Sequence, residues 1–127
     1  MLTIDFSTNA NGKLFCDVFS DIRLYNDSFE PCTECEIILR GQLMGIAKIE
    51  SANKFHFYAL NNGASIINCG KPAPYQKKLL TNFYNRGLPI NPDTIFQNIV
   101  FRWIERNGSV QNVLIKEWWE NQTCKVV

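Results

Sequence analysis

The sequence predicts an α+β domain: a small curved sheet or barrel of mostly antiparallel strands, two short inserted helices, and a helix at the C-terminal end. Three observations carry this expectation. β-Branched and aromatic segments, some with period-two alternation, occupy both flanks of the chain. Between them, from Leu60 to Gly87, the texture turns helical. Finally, 127 residues, 46% hydrophobic and 20% charged, make one globular domain able to bury its own core.

The elements follow in order. Leu2–Phe6, "LTIDF", alternates as a half-buried strand. Thr8–Gly12 is turn chemistry, and Lys13–Tyr25, aromatic and β-branched, is expected to be extended or irregular. After the break at Asn26–Pro31, "CEIILRGQLMGIAKIE" reads as two strands, Cys35–Leu39 and Gly45–Glu50 or longer, joined around Arg40-Gly41-Gln42. Leu60, Ala64 and Ile67 recur at helical spacing, weakened by Gly63. "PYQKKLLTNFYNRG" makes a better helix, with Pro74 in the first turn and Gly87 as C-terminal cap. Its expected apolar stripe is Tyr75, Leu79, Leu80, Phe83 and Tyr84. Thr94–Arg106 is a buried strand. The segment 109–122 could return as a hairpin, but Ser109 as N-cap and apolar residues at 110, 113, 114 and 118 favour a helix.

The net charge of +1 hides an uneven distribution. Residues 1–50 carry eight acids against four bases, whereas residues 51–92 carry Lys54, Lys71, Lys77, Lys78 and Arg86 and no acid at all. If those bases share a face, they attract phosphate; the plainer reading scatters them over the surface. No apolar run approaches the ~18 residues that span a bilayer. The first residues lack a basic region followed by a long apolar stretch, so a cytoplasmic chain is expected. Five cysteines then do not suggest a disulfide framework.

Cys32-x-x-Cys35 raises the question of a metal or redox site. A zinc site needs a second close ligand pair, and Cys16, Cys69, Cys124 and His56 are scattered singles. A redox pair needs a helix N-terminus, and here a strand follows. A structural role is expected, with no metal and no cofactor. His56 lacks a recognisable nucleophile motif near it. The loop Asn68–Tyr75 could offer Lys71 and backbone N–H groups to an anion, or be a plain turn.

The segments "FSDIRLYND" (19–27), "CEIILRGQLMGIAKIE" (35–50), "FYALNNGASIINCGKPAPYQKKLLTNFYN" (57–85) and "IVFRWI" (99–104) resemble, in their order, the ASCH-type PUA-like domains over roughly residues 13–105. The resemblance implies a small β-barrel with a cleft beside the Ile-Arg segment and an association with RNA. Some ASCH members are amidohydrolases acting on acetylated cytidine, with a Lys-x-x-Thr-Ile-Arg pattern and a Glu from the helical insert. Aligned on Ile22-Arg23, this chain has Val18 at the Lys position and Asp21 at the Thr position, and its insert "GASIINCG" holds no acid. Only Arg23 matches, and a guanidinium binds anions but does not act as a nucleophile or base.

The expected function is therefore a non-catalytic module binding RNA or a nucleotide-like ligand. Arg23 serves as cleft clamp, Lys71, Lys77, Lys78 and Arg86 as phosphate contacts, and Tyr75 as a stacking residue. The alternatives are an enzyme using Asp21, Arg23 and Cys69, or an interaction module that docks or self-associates through Trp118 and Trp119. No membrane partner is expected.

Overall fold

The computed structural model describes residues 1–84 and 90–107. Among these the order is β1 (Leu2–Phe6), a 3-10 helix (Ala10–Phe15), β2 (Val18–Leu24), β3 (Glu34–Leu39), β4 (Gln42–His56), a 3-10 turn (Phe57–Ala59), α1 (Asn62–Cys69), α2 (Ala73–Tyr84) and β5 (Ile95–Arg106). The strands form one mixed sheet in the order β1-β3-β4-β5-β2. β1 is parallel to β3, and the other neighbours are antiparallel. This is a small α+β fold on a curled sheet, as the sequence predicts. No helix of the described residues is long and apolar enough to cross a membrane.

Local chemistry explains the curl. Arg40 and Gly41 both take positive φ, 49° and 80°, which gives the two-residue connection whose twist suits a β-hairpin. Strand β4 then runs for 15 residues and breaks register with β5 after Ile46 and again after Ile49. Each irregularity bends the strand and adds twist. At Gly45, φ is +146°, and a Cβ built there would lie 2.1 Å from the carbonyl oxygen of Glu105. The edge strands β1 and β2 thereby come together. The Phe6 and Phe19 rings meet edge to face at 6.2 Å, and Arg23 Nη2 donates to the Asp5 carbonyl. The result is a half-barrel whose seam is bridged by side chains.

Two cores lie on opposite faces. Inside the curl are Ile4, Phe6, Leu14, Phe19, Cys35, Ile37, Leu39, Met44, Ala47, Ile49, Ile99 and Phe101, with Phe19 stacked on Phe101 at 5.1 Å. On the other face, Ile22 and Phe96 pack with Leu60, Ala73 and Leu80 beneath the helices. The register of β2 on β5 accounts for the division: Phe19 and Asp21 sit opposite Phe101 and Ile99, whereas Leu24 sits opposite Phe96.

Three expectations change. The segment from Lys13, expected to be extended or irregular, begins within a 3-10 helix and becomes strand only at Val18. In α1, Ile67 is 65% exposed, while Ser65 and Asn68 are buried. In α2, the buried face is Ala73, Gln76 and Leu80, with Tyr75 and Leu79 about half exposed. The helices are thus rotated from the positions that an apolar stripe would choose, because they cover a polar cleft as well as an apolar sheet face. Gly87 and the expected C-terminal helix lie outside the described residues.

The close approach at Gly45 gives a stability test. Gly45→Ala must move the β5 backbone and hold Ala in a strained conformation, a loss on the order of 3–5 kcal/mol. Gly41→Ala meets nothing within 4 Å and should cost only about 1 kcal/mol for its left-handed backbone. Urea unfolding of the two variants should show this order.

Candidate functional site

The site forms where β1 and β2 meet below the helices. Strand alternation puts Phe19, Asp21 and Arg23 on one face of β2, so two charged residues continue the row that Phe19 begins. The 3-10 helix delivers Lys13 to the same place, only 7% exposed. Lys13 Nζ donates to Asp21 Oδ1 at 2.9 Å and to Asn68 Oδ1, from α1, at 2.8 Å. Arg23 Nε donates to Asp21 Oδ2 at 2.5 Å. One carboxylate therefore bridges two cations, an oxygen to each. Both cations also lie against the Phe6 ring, Lys13 Nζ at 5.2 Å and Arg23 Cζ at 5.0 Å from its centroid.

These groups open onto a cleft of about 500 Å³, a size suited to a small organic ligand. Asp5, Ser7 and Thr8 line it from the β1 side, and Gln76, Leu79 and Leu80 from α2. Gln76 is 3% exposed, and its side-chain Oε1 has no hydrogen-bond partner among the described residues. A buried acceptor without a partner is costly, and in a cleft it is a seat for a donor from elsewhere.

The site residues expected from the sequence divide. Arg23 lines the cleft, though its charge is shared with Asp21. Lys71, Lys77, Lys78 and Tyr75 are absent from the lining. Lys71 Nζ lies over the Tyr75 ring at 5.9 Å, and Lys77 Nζ reaches the Tyr58 carbonyl at 3.3 Å and lies 6.0 Å from the Phe57 ring centroid. Lys78 is exposed. Arg86, Trp118, Trp119 and Cys124 lie outside the described residues. The loop before α2 does not offer its first-turn N–H groups to an anion. Ala73 N donates to Asn62 Oδ1, residue 74 is proline, and Tyr75 N and Gln76 N donate to the Pro72 carbonyl.

Cys69 lines the cleft, with its sulfur 3.9 Å from Ser65 Oγ. His56 is not among the lining residues; it stacks on Tyr58, centroids 5.4 Å apart. In the Cys-x-x-Cys segment, Cys32 is exposed at a positive φ of 69°, and Cys35 is fully buried in the core. Burial is the main influence that pushes the Cys35 thiol up to about 11; the neighbouring Arg23 charge lowers it and Glu34 raises it. A thiol held in its protonated form is a poor metal ligand or nucleophile. Among the described residues, no three His, Cys, Asp or Glu side chains gather as a metal site.

Lys13, Asn68 and Gln76 were not singled out in the sequence. Aligned on Ile22-Arg23, the lysine position falls on Val18, yet the ammonium in the cleft comes from Lys13. The signal available in the sequence was the β2 alternation, which places Asp21 and Arg23 on the Phe19 face. Nothing in "NGKLF" marks its lysine as buried.

No family model matches the chain, and no curated protein matches it. A crystal structure of protein EF3133 from Enterococcus faecalis V583, assigned to the family DUF984, is similar in fold, with a TM-score of 0.67. The two are 10% identical, and the similarity covers 88% of this chain and 81% of that one.

Two outcomes follow from the geometry. Lys13→Met leaves Asp21 with Arg23 alone and Asn68 without its donor, and should destabilise the fold by roughly 2–4 kcal/mol in urea unfolding. The second concerns pH. The folded Cys35 thiol keeps its proton above the ordinary value of 9.0, so its contribution is complete below pH 9 and is lost as pH rises towards 11, by at most about 2–3 kcal/mol. The stability difference between the wild type and Cys35→Ala should shrink over that window.

Proposed function

We propose that the chain is an ASCH-type PUA-like binding module whose seam cleft takes a nucleotide-like ligand, free or as part of an RNA. The observation that carries the reading is the buried, unpartnered Gln76 amide oxygen beside the Lys13–Asp21–Arg23 cluster. Core packing gives no reason to hold such an acceptor in place; a ligand N–H does. The lysines outside the cleft support the RNA form of the reading. Lys54 lies 4.5 Å from the Tyr25 ring centroid, and Lys71 and Lys77 also lie against aromatic rings. Such pairs suit a strand that combines phosphate with stacking bases.

A second reading, an amidohydrolase-like enzyme, is favoured by one observation: Lys13 supplies an amine in contact with Asp21. Both oxygens of Asp21 are engaged by cations, however, and among the described residues the cleft lining adds only Asp5 as a further acid. Acetate release from acetylated cytidine that is abolished in Asp21→Ala would establish the enzyme.

The binding reading is tested at Gln76. Gln76→Leu removes an unsatisfied acceptor, so stability should hold or rise by about 1 kcal/mol. Affinity for nucleosides or nucleotides, measured by titration calorimetry, should fall tenfold or more. A Leu variant that binds as the wild type does overturns the proposal.

Binding to single-stranded RNA should weaken with salt by a slope of about −0.7 per phosphate contact, and Lys77→Ala with Lys78→Ala should flatten the slope by roughly one unit or more. A slope unchanged by that pair excludes these lysines as phosphate contacts.

A further inference from the structure

The cleft holds two cations, yet the seat between them is already filled. Lys13 and Arg23 converge from the 3-10 helix and from β2, and the position between them is where a phosphate or carboxylate would sit. Asp21 already occupies it, with one oxygen 2.9 Å from Lys13 Nζ and the other 2.5 Å from Arg23 Nε. Arg23 is spent further on the Asp5 carbonyl and Lys13 on Asn68. Asp5 also borders the cleft, through the backbone carbonyl that Arg23 meets. Asp21 offsets one of the two positive charges and holds both cations' nearest N–H groups, so an incoming anion meets a filled seat and a weakened attraction. What remains for a ligand is uncharged recognition by the Gln76 oxygen, the unspent Arg23 N–H groups and the apolar Leu79 and Leu80.

We infer that Asp21 is a built-in counter-ion that sets specificity: it fills the anion seat between Lys13 and Arg23, so the cleft takes an uncharged, N–H-bearing group and excludes phosphate. The inference rests on the cleft being the binding site, as proposed above. It places the base-like end of a nucleotide-like ligand inside and leaves any phosphate outside. Lys71, Lys77 and Lys78 lie off the cleft lining and are the cations a phosphate outside would have to reach.

The test uses the full chain and three sets of probes: inorganic phosphate, the common ribonucleosides, and their 5′-monophosphates, each titrated by calorimetry and thermal shift. For the wild type, a nucleoside should bind at least as tightly as its monophosphate, and millimolar phosphate should give no shift. Asp21→Asn keeps the shape and removes the counter-charge. It should gain phosphate binding and favour monophosphate over nucleoside by tenfold or more. Asp21→Asn combined with Lys13→Met removes one charge of each sign and should lose that gain. Should Asp21→Asn fail to fold, the wild-type comparison decides alone. Monophosphates bound tenfold tighter than nucleosides by the wild type, with the preference abolished in Arg23→Gln, would overturn the inference and leave the cleft reading intact. A wild type that binds none of the nucleosides or monophosphates overturns both.

Discussion

The Asp21 carboxylate is the interaction on which the seam depends. Strands β1 and β2 lie at opposite ends of the sheet order, and side chains bridge them where they meet. Arg23 ties β2 to the β1 backbone, Lys13 ties in the 3-10 helix, and Asn68 ties in α1. Each cation is held in a largely buried position because one carboxylate compensates both. Without Asp21, Lys13 and Arg23 would face each other out of water. The same bond network thus closes the half-barrel and shapes the cleft.

That network also explains the unusual helices. An eight-residue helix ordinarily turns its apolar side to the core, yet α1 buries Ser65 and Asn68 and exposes Ile66 and Ile67. Asn68 must reach Lys13, and Ser65 Oγ donates to the Lys71 carbonyl at 2.6 Å, fixing the loop into α2. Helix α2 then follows with Gln76 inward. Polar satisfaction around a buried ammonium outweighs the burial of two isoleucine side chains, which together would contribute roughly 3–5 kcal/mol at most. An uncompensated ammonium costs more than that.

The apolar scaffold was readable in advance. Alternation identified β1 and β4, apolar and β-branched composition identified β3 and β5, and Gly41 and Gly70 stand near the expected breaks. The site was half readable. Arg23 and Asp21 stand out through the family resemblance at Ile22-Arg23, and they follow Phe19 on its own face of the strand. Lys13 could not, since a lysine beside a turn looks the same whether it points to water or into a cleft. Gln76 was hidden between Tyr75 and Lys77 in a helix whose larger apolar residues argued for a different rotation.

By itself the sequence determined the α+β class, the position of four strands and two helices, and an uneven charge distribution with an acid-free middle. Those follow from local periodicity and composition, which need no knowledge of neighbours. Only the tertiary structure decided which lysine enters the cleft, which face each helix buries, and that Arg23 reaches across the seam to the Asp5 carbonyl. These depend on contacts between residues 8 to 55 positions apart and on the curl of the sheet. Burial of a charge is decided by whether its partner arrives, and that partner is set by the fold rather than by the adjoining residues.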